Sequence, residues 1–245
     1  MERMVSRRIF VAGAFGAIGI RLVPMLMADG WHVLGMTRSR DRADAMASLG
    51  MAAVLADAFD AISVRAVIAS YRPHVLAHQL TDLPRDLAKL DAAALERNAA
   101  LRMLGTRNLV DAAERSGVSR IVAQSIAFDY APGAKPHREA DLLAGRLPSA
   151  SPSSGGVVSL EDQVAGSSIP SVILRYGRFY APGTGSDRPG GRAAIHVDAA
   201  AYAAVLGART PTAGIYNIAE TDGEVDISRA QDILGWSADW RRAEE

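Results

Sequence analysis

The chain of 245 residues contains no cysteine, which excludes disulfides, thiolate nucleophiles and cysteine-bound metals. Lysine is scarce: Lys89 and Lys135 are the only two, and the other basic residues are arginine. Neither charge is in excess, with 27 basic and 27 acidic residues, which argues against a nucleic-acid or membrane surface built on net charge. No apolar run approaches the length of a membrane-spanning helix, and residues 1–10 lack the apolar core of a signal peptide. We therefore expect a cytoplasmic protein.

What the chain does have is 49% hydrophobic residues, enough for a sizeable core. Strand-like and helix-like segments alternate, with strands expected at 9–12, 31–36, 52–56, 74–78, 119–124 and 171–175 and helices at 18–28, 40–49, 61–70 and 91–115. This alternation predicts an α/β fold with a doubly wound parallel sheet, covered on both faces, in a single domain spanning residues 1–245.

Two stretches interrupt the alternation. Residues 132–156 and 181–192 are rich in proline, glycine and serine and are interpreted as long surface loops, with a short helical segment at 160–164 between them. The short elements that follow are too small for a second domain. We interpret the region from about 176 to 245 as a reduced cap on the substrate side of the sheet.

A glycine-spaced turn, GAFGAIG, joins the first predicted strand to the first predicted helix. Gly13 permits a sharp turn, Gly16 permits close approach of the backbone to a pyrophosphate, and Gly19 permits tight packing of the helix on the sheet. The start of the helix directs free amide groups and a positive dipole end at the phosphates. The pattern indicates a dinucleotide site that also includes Phe15, Ala17 and Ile18; the alternative is a tight turn without a ligand.

Polar residues follow the second and third predicted strands, at the edge where such ligands bind. Thr37 and Arg38 occupy the position where an NAD site usually places an acid, and a guanidinium beside a hydroxyl suits a ribose 2′-phosphate. This favours NADP over NAD, unless Arg38 and Arg40 are only solvated charges at a helix entry. Asp57, followed by Ala58, can accept from the adenine amino group or can cap the next helix, and both interpretations stay open.

Eight motifs in order resemble the extended short-chain dehydrogenase/reductase family, which includes nucleotide-sugar epimerases and dehydratases. They are VAGAFGAIG, HVLGMTRS, PHVLAHQLTDL, RNAALRMLGTRNLVDAAERSGVSRIVAQS, LRYGRFYAPGTG, AIHVDAAAYA, GIYNIAE and LGW, and they extend over nearly the whole chain. The resemblance implies a Rossmann fold, a bound NAD(P) and chemistry that begins with hydride transfer.

The resemblance also implies roles for particular residues. Ser125 stands where the family places a serine or threonine to hold the substrate oxygen, after the fifth strand. Asn98 stands where the family has an asparagine that binds backbone or water near the active site. The remaining implied cofactor contacts are the segment after the fourth strand and the backbone after the sixth strand, namely Gln79, Leu80, Thr81, Gly177, Arg178 and Phe179.

The family's Tyr-x-x-x-Lys pair is missing. Counting back from Glu161 places the tyrosine near Ser153 and the lysine near Val157, and neither lysine of the chain has a tyrosine four residues before it. Without a neighbouring ammonium a tyrosine keeps a pKa of about 10 and is a poor base at neutral pH. The aromatic residues that could replace it are Tyr130, His137, Tyr176 and Tyr180, and with Ser125 we take Tyr130 and Tyr176 as candidate catalytic residues.

Two classes of function remain open from the sequence. The first is an NADP(H)-dependent reductase, epimerase or dehydratase with an atypical site, acting on a small hydroxyl- or carbonyl-bearing molecule; the short segment 185–194 argues against a nucleotide sugar. The second is a dinucleotide-binding sensor that has lost the chemistry. A third use of the site is non-redox elimination or isomerisation. A homodimer through the long 91–115 helix and the helical segment at 160–164 is a family-based expectation, and no metal, nucleic acid or membrane is expected as a partner.

Overall fold

The computed structural model describes residues 7–48, 50–84, 86 and 89–242. Two parts of the sequence on which predictions were made lie outside these ranges. They are residue 49, the predicted end of the second helix, and residues 1–6, which belong to the segment predicted not to be a signal peptide. None of the helices within them is long and apolar enough to cross a membrane.

Within the described ranges, nine strands form two sheets. The main sheet has seven strands, all parallel, in the order β3-β2-β1-β4-β5-β6-β9, and a small parallel pair joins β7 to β8. The strands are β1 (Arg8–Ala12), β2 (His32–Thr37), β3 (Ala52–Leu55), β4 (Val75–His78), β5 (Arg120–Ile126), β6 (Ser171–Tyr176), β7 (Arg178–Tyr180), β8 (Ala194–His196) and β9 (Gly214–Ile218).

Helices cover both faces of the main sheet. They are α1 (Gly19–Ala28), α2 (Arg40–Ser48), α3 (Ala61–Tyr71), α4 (Ala92–Ala100), α5 (Thr106–Arg115), α6 (Pro152–Ala165), α7 (Val197–Arg209) and α8 (Ser228–Leu234). The strands supply apolar side chains to both sides, as β1 shows. Ile9 and Val11 join one core with α1 and α7, whereas Phe10 and Ala12 join the other with α3, α5 and α6. This confirms the predicted doubly wound parallel α/β fold.

The order of the strands positions the site. From β1 the chain winds outward through β2 and β3, then crosses to β4 and winds the other way through β5 and β6. The reversal between β1 and β4 opens a crevice at the carboxyl ends of these strands, where ligands bind in open parallel sheets. The glycine turn, which follows β1, lies at this crevice.

Most boundaries shift by one or two residues, and three differences from prediction bear on the site. Helix α6 begins at Pro152, inside the predicted loop, because Ser151 caps it by accepting from the Ser154 amide and proline suits the first helical turn. The predicted long helix is interrupted by a π-helical turn, Leu101–Gly105. Strand β5 continues through Ile126, so Ser125 lies within it rather than after it.

The carboxyl-terminal region is divided between the sheet and its edge. Strand β9 is the seventh strand of the main sheet and α7 packs on its face, so these two elements do not form a cap. The β7–β8 pair and residues 181–193 lie at the carboxyl edge of β6 and stay the predicted substrate-side cap. His196 caps α7, because its ring nitrogen Nδ1 accepts a hydrogen bond from the Asp198 backbone amide.

Candidate functional site

The glycine turn has the form that a phosphate-binding turn needs. Gly13 has φ +97°, and a Cβ there would lie 2.4 Å from the Gln79 carbonyl oxygen. A Cβ on Gly19 would lie 2.2 Å from the Gly13 carbonyl oxygen, so this position also accepts only glycine. Strand, turn and helix are therefore joined so closely that two of the three glycines are required by the fold itself.

Gly16 differs from the other two glycines. A Cβ there would meet only the Gly13 carbonyl oxygen, at 3.4 Å, and no other protein atom occupies that space. The start of α1 beside it has no side-chain cap, and Ile18, the capping residue, is buried. Phe15 and Ala17 pack against the same core. An uncapped helix start facing an open backbone turn fits the pyrophosphate of a dinucleotide.

The segment after β4 holds a buried amide without a partner. Gln79 is 3% exposed, and neither its Oε1 nor its Nε2 has a hydrogen-bond partner among the described residues. A buried unpaired amide costs about 1–3 kcal/mol, so it needs a partner outside the protein chain. Leu80 is half-buried against the core, and Thr81 is exposed at the crevice edge. This segment fits a polar ligand that lies over β1 and β4.

Asn98 positions this segment from α4. Its side chain is buried, and Oδ1 accepts a hydrogen bond from the Asp82 backbone amide at 2.8 Å. The asparagine therefore binds backbone, as the resemblance implied, and fixes the path of the loop after β4.

The polar residues after β2 and β3 are placed at the same edge. Thr37 is buried and its hydroxyl accepts from the Ser39 amide, whereas Arg38 is exposed, with its guanidinium 3.5 Å from the Asp82 carboxylate. Asp57 accepts from the Phe59 amide within a turn. It does not cap α3, because Asp60 does so. Ala58 is buried, and its carbonyl oxygen accepts from Asn108.

Ser125 does not face the crevice. Its hydroxyl is buried and donates to Glu161 Oε1 at 2.6 Å. Glu161 also binds the Arg175 guanidinium in a two-pronged ion pair, with distances of 2.9 and 2.7 Å. Burial lowers the pKa of Arg175, but the Glu161 carboxylate outweighs this and the net shift is upward. The serine hydroxyl is therefore part of a buried ion-pair network instead of being directed at a substrate.

Tyr130 belongs to the same network. Its hydroxyl donates to Asn217 Oδ1 at 2.7 Å and accepts from Arg175 at 2.8 Å, and its ring stacks on His137 with centroids 4.8 Å apart. Burial raises the pKa of Tyr130, an effect that Arg175 partly offsets. The tyrosine is thus half-buried, hydrogen-bonded and protonated at neutral pH.

Tyr176 is enclosed in the core. It is 0% exposed, its hydroxyl has no partner among the described residues, and burial raises the pKa of the phenol. The residues after it are also engaged: the Gly177 amide donates to Ile218 and the Arg178 amide to Ala193. Phe179 pairs with Ile195 in the β7–β8 sheet. The two amides expected to meet a nicotinamide carboxamide are therefore used within the protein.

Apolar side chains occupy the position expected for the lysine. Val157, at the lysine position on α6, is 1% exposed and forms a small core with Leu143 and Val158, against which Ile126 and Tyr130 pack. Across the described ranges, no three histidine or acidic side chains are grouped to hold a metal ion.

A cleft of about 780 Å³ opens beyond β5 and β6. Its walls include Phe128, Tyr130 and His137 together with the cationic residues Lys135, Arg178 and Arg192. Its position at the carboxyl edge, on the β5 side of the crevice, is that of a substrate site beside a dinucleotide.

Sequence reasoning missed three features: the buried network around Glu161 and Arg175, the Lys135–Glu224 ion pair, and the early start of α6. The network of Glu161 and Arg175 joins α6 to β6, and Arg102 lies near it, buried in the π-helical turn. The Lys135–Glu224 pair joins residues 89 positions apart. Only the start of α6 had a usable signal, since a serine followed by proline is typical of a helix N-terminus.

Comparison with known proteins agrees with this geometry. A family model described as NAD(P)H-binding matches residues 13–198. The chain is 36% identical over 239 residues to the 3-diazoavenalumate denitrifying reductase of a Streptomyces species, covering 89% of this chain and 76% of that protein.

Solved structures share the fold at low identity. The Bordetella bronchiseptica enzyme WbmG, in complex with NAD, superposes with a TM-score of 0.78 at 18% identity, over 99% of this chain and 92% of that one. UDP-N-acetylglucosamine 4-epimerase from Bacillus cereus superposes with a TM-score of 0.75 at 17% identity, over 96% and 95%. The chain belongs to the NAD(P)H-binding family.

Proposed function

We propose that this protein is an NADPH-dependent reductase that transfers a hydride to a small substrate without taking a proton from a tyrosine–lysine pair. The observation that carries the proposal is that each of the expected hydroxyls, on Ser125, Tyr130 and Tyr176, is hydrogen-bonded within the protein or enclosed in the core. Reduction of a carbonyl leaves an alkoxide that must take up a proton, so a carbonyl is a poor match for this site.

An aryl diazonium substrate matches the site better than a carbonyl does. The Streptomyces relative is named as a denitrifying reductase of a diazo compound. Reduced nicotinamide, when bound, supplies a hydride. When hydride adds to the carbon of a diazonium group, the carbon–nitrogen bond breaks and its electron pair leaves with N₂, so no proton is gained or lost. The protein then has to bind and orient the two reactants and exclude water, which suits a site with apolar Val157 at the lysine position.

The choice of NADPH rests on Arg38. Its guanidinium is exposed at the end of β2 and is held by a single long ion pair with Asp82. It can exchange this carboxylate for a ribose 2′-phosphate, a doubly charged and forked acceptor. The contacts at the glycine turn, Gln79, Asp57 and the segment 177–179 are part of the same proposal, with the Phe179 side chain in place of the engaged amides of Gly177 and Arg178.

The test uses NADPH deuterated at the transferable position, mixed with purified protein and either a benzenediazonium salt or benzaldehyde. We expect catalysed loss of NADPH absorbance, release of N₂ and deuterium in the arene product from the diazonium salt only. Gly16→Asp is the matched control, because it adds bulk and negative charge at the turn, where an added Cβ would meet only the Gly13 carbonyl oxygen, at 3.4 Å, among the described residues.

Two outcomes would contradict the proposal. Faster reduction of the aldehyde would mean that a proton donor exists at the site. Tight NADPH binding, seen by fluorescence, with no turnover of either substrate would favour the non-catalytic sensor. The cytoplasmic location and the homodimer stay predictions, to be checked by fractionation and by light scattering.

A further inference from the structure

We propose that the cleft beyond β5 and β6 binds the carboxylate of an aromatic acid through Arg178, and that this contact selects the substrate. Conversion of the bound acid rests on the proposed function, whereas its binding to Arg178 does not. Arg178 begins β7, and its side chain reaches into the cleft while its backbone amide is fixed by Ala193.

The charge of the lining calls for an anion. It contains Arg178, Lys135 and Arg192 as cations and Glu224 as the one carboxylate, a formal excess of two positive charges. Glu224 binds Lys135 at 2.7 Å and lies 3.3 Å from Arg192 Nε, so this single acid is shared by two cations. Among the described residues no carboxylate pairs with the Arg178 guanidinium, which is left for a ligand.

The guanidinium is also held in place before any ligand binds. It lies over the Phe128 ring, with Cζ 4.1 Å from the ring centroid. Stacking on a ring fixes the plane of the fork and leaves its N–H groups free at the edge for a carboxylate. Gly191 lies beside this side chain, with its Cβ position 3.7 Å from Arg178 Cδ and 3.8 Å from Nε, whereas among the described residues no atom lies within 4 Å of the Cβ position of Gly190.

The rest of the lining favours an aromatic body over a sugar. Beside Phe128 the cleft is lined by Ala127, Pro132, Val225 and the ring of Tyr130, which lies parallel to His137 at an interplanar angle of 9°. These surfaces offer flat apolar contact, and aromatic groups pack well on such walls. A single anionic end and a planar apolar body describe an aryl carboxylate.

The binding experiment is titration calorimetry of the full chain, free and saturated with NADP, with cinnamate, the uncharged cinnamamide, UDP and inorganic phosphate. We expect cinnamate to bind at least tenfold more tightly than cinnamamide. Arg178→Gln should remove this preference, and Glu224→Gln should strengthen cinnamate binding because it raises the excess positive charge. Arg188→Gln, on the same exposed loop but outside the lining, is the matched control and should change nothing.

A kinetic arm separates this inference from the proposed reaction. With benzenediazonium salts that carry or lack a ring carboxylate, Arg178→Gln should raise KM for the carboxylated salt at least tenfold and should not raise KM for the other. Cinnamate binding that depends on Arg178 without turnover would uphold the carboxylate site and refute the reaction. The carboxylate site would be overturned if Arg178→Gln left KM unchanged for both salts. It would also be overturned if Arg178 were required for binding UDP or phosphate instead of cinnamate.

Discussion

Replacing Glu161 by leucine should destabilise the protein far more than replacing Glu161 and Arg175 together. Arg175 is 3% exposed and Glu161 is 5% exposed, and the carboxylate accepts two hydrogen bonds from the guanidinium and one from Ser125. In Glu161→Leu the Arg175 charge stays buried without its counterion. Breaking a buried pair in this way costs about 3–5 kcal/mol.

The nearby Arg102 makes the two single variants unequal. It is 6% exposed; burial lowers the pKa of its guanidinium, and the charges of Asp129 and Glu161 oppose this shift. Without Glu161, two buried guanidinium groups have Asp129 as their nearby carboxylate. Without Arg175, Glu161 keeps the Arg102 charge and the Ser125 hydrogen bond, so Arg175→Met should cost less, about 2–3 kcal/mol.

The double variant Glu161→Leu/Arg175→Met replaces the pair by apolar groups of similar size. Such replacements are often close to neutral, and here the Ser125 hydroxyl and the Tyr130 hydroxyl each lose a partner, at about 1 kcal/mol apiece. We therefore expect a loss of about 2 kcal/mol, below that of Glu161→Leu alone, and a coupling energy of at least about 3 kcal/mol.

Urea unfolding followed by circular dichroism at neutral pH measures all four proteins. Leu109→Met, a conservative change elsewhere in the same core, serves as a control for generic repacking. Single losses below about 1 kcal/mol that add up in the double variant would show that the pair is solvated and refute the reasoning.

Three further predictions concern the crevice and the core. Burial holds the pKa of His78 at about 4, against 6.5 in the unfolded chain, so the unfolded state binds more protons between these values. Stability is then complete above pH 6.5 and falls by up to about 3 kcal/mol as the pH approaches 4, and urea titrations should show this slope flattened in His78→Gln. Gly16→Ala should weaken NADPH binding at least tenfold by fluorescence titration with an unchanged Tm, whereas Gly19→Ala should lower Tm by several degrees because its Cβ meets backbone at 2.2 Å. Asp82→Asn should tighten NADPH but not NADH by releasing Arg38, and Arg38→Ala should remove the preference; equal effects on both cofactors would refute a 2′-phosphate contact.

The sequence by itself determined the fold and predicted the place of the dinucleotide site. These depend on short-range patterns: a glycine every three residues after an apolar strand, and strands alternating with helices. Gly13, Gly16 and Gly19 lie within one turn, and their roles follow from backbone geometry that neighbouring residues impose. The polar residues after β2, β3 and β4 share an edge because all carboxyl ends of a parallel sheet do.

The tertiary structure decided which site residues are free to react. Strand β5 extends two residues beyond its predicted end and therefore includes Ser125. Successive side chains of a strand point to opposite faces, and that of Ser125 faces α6, which the shorter predicted strand did not show. The hydrogen-bond partners of Tyr130 lie 45 and 87 positions away from it in the chain. The ring that Arg178 lies over, that of Phe128, is 50 positions from Arg178. No local pattern records such contacts, because they arise only when separate elements meet across the packed core. The sequence therefore predicted where a dinucleotide would bind, and the fold decided that the expected proton donors are hydrogen-bonded within the protein or enclosed in its core.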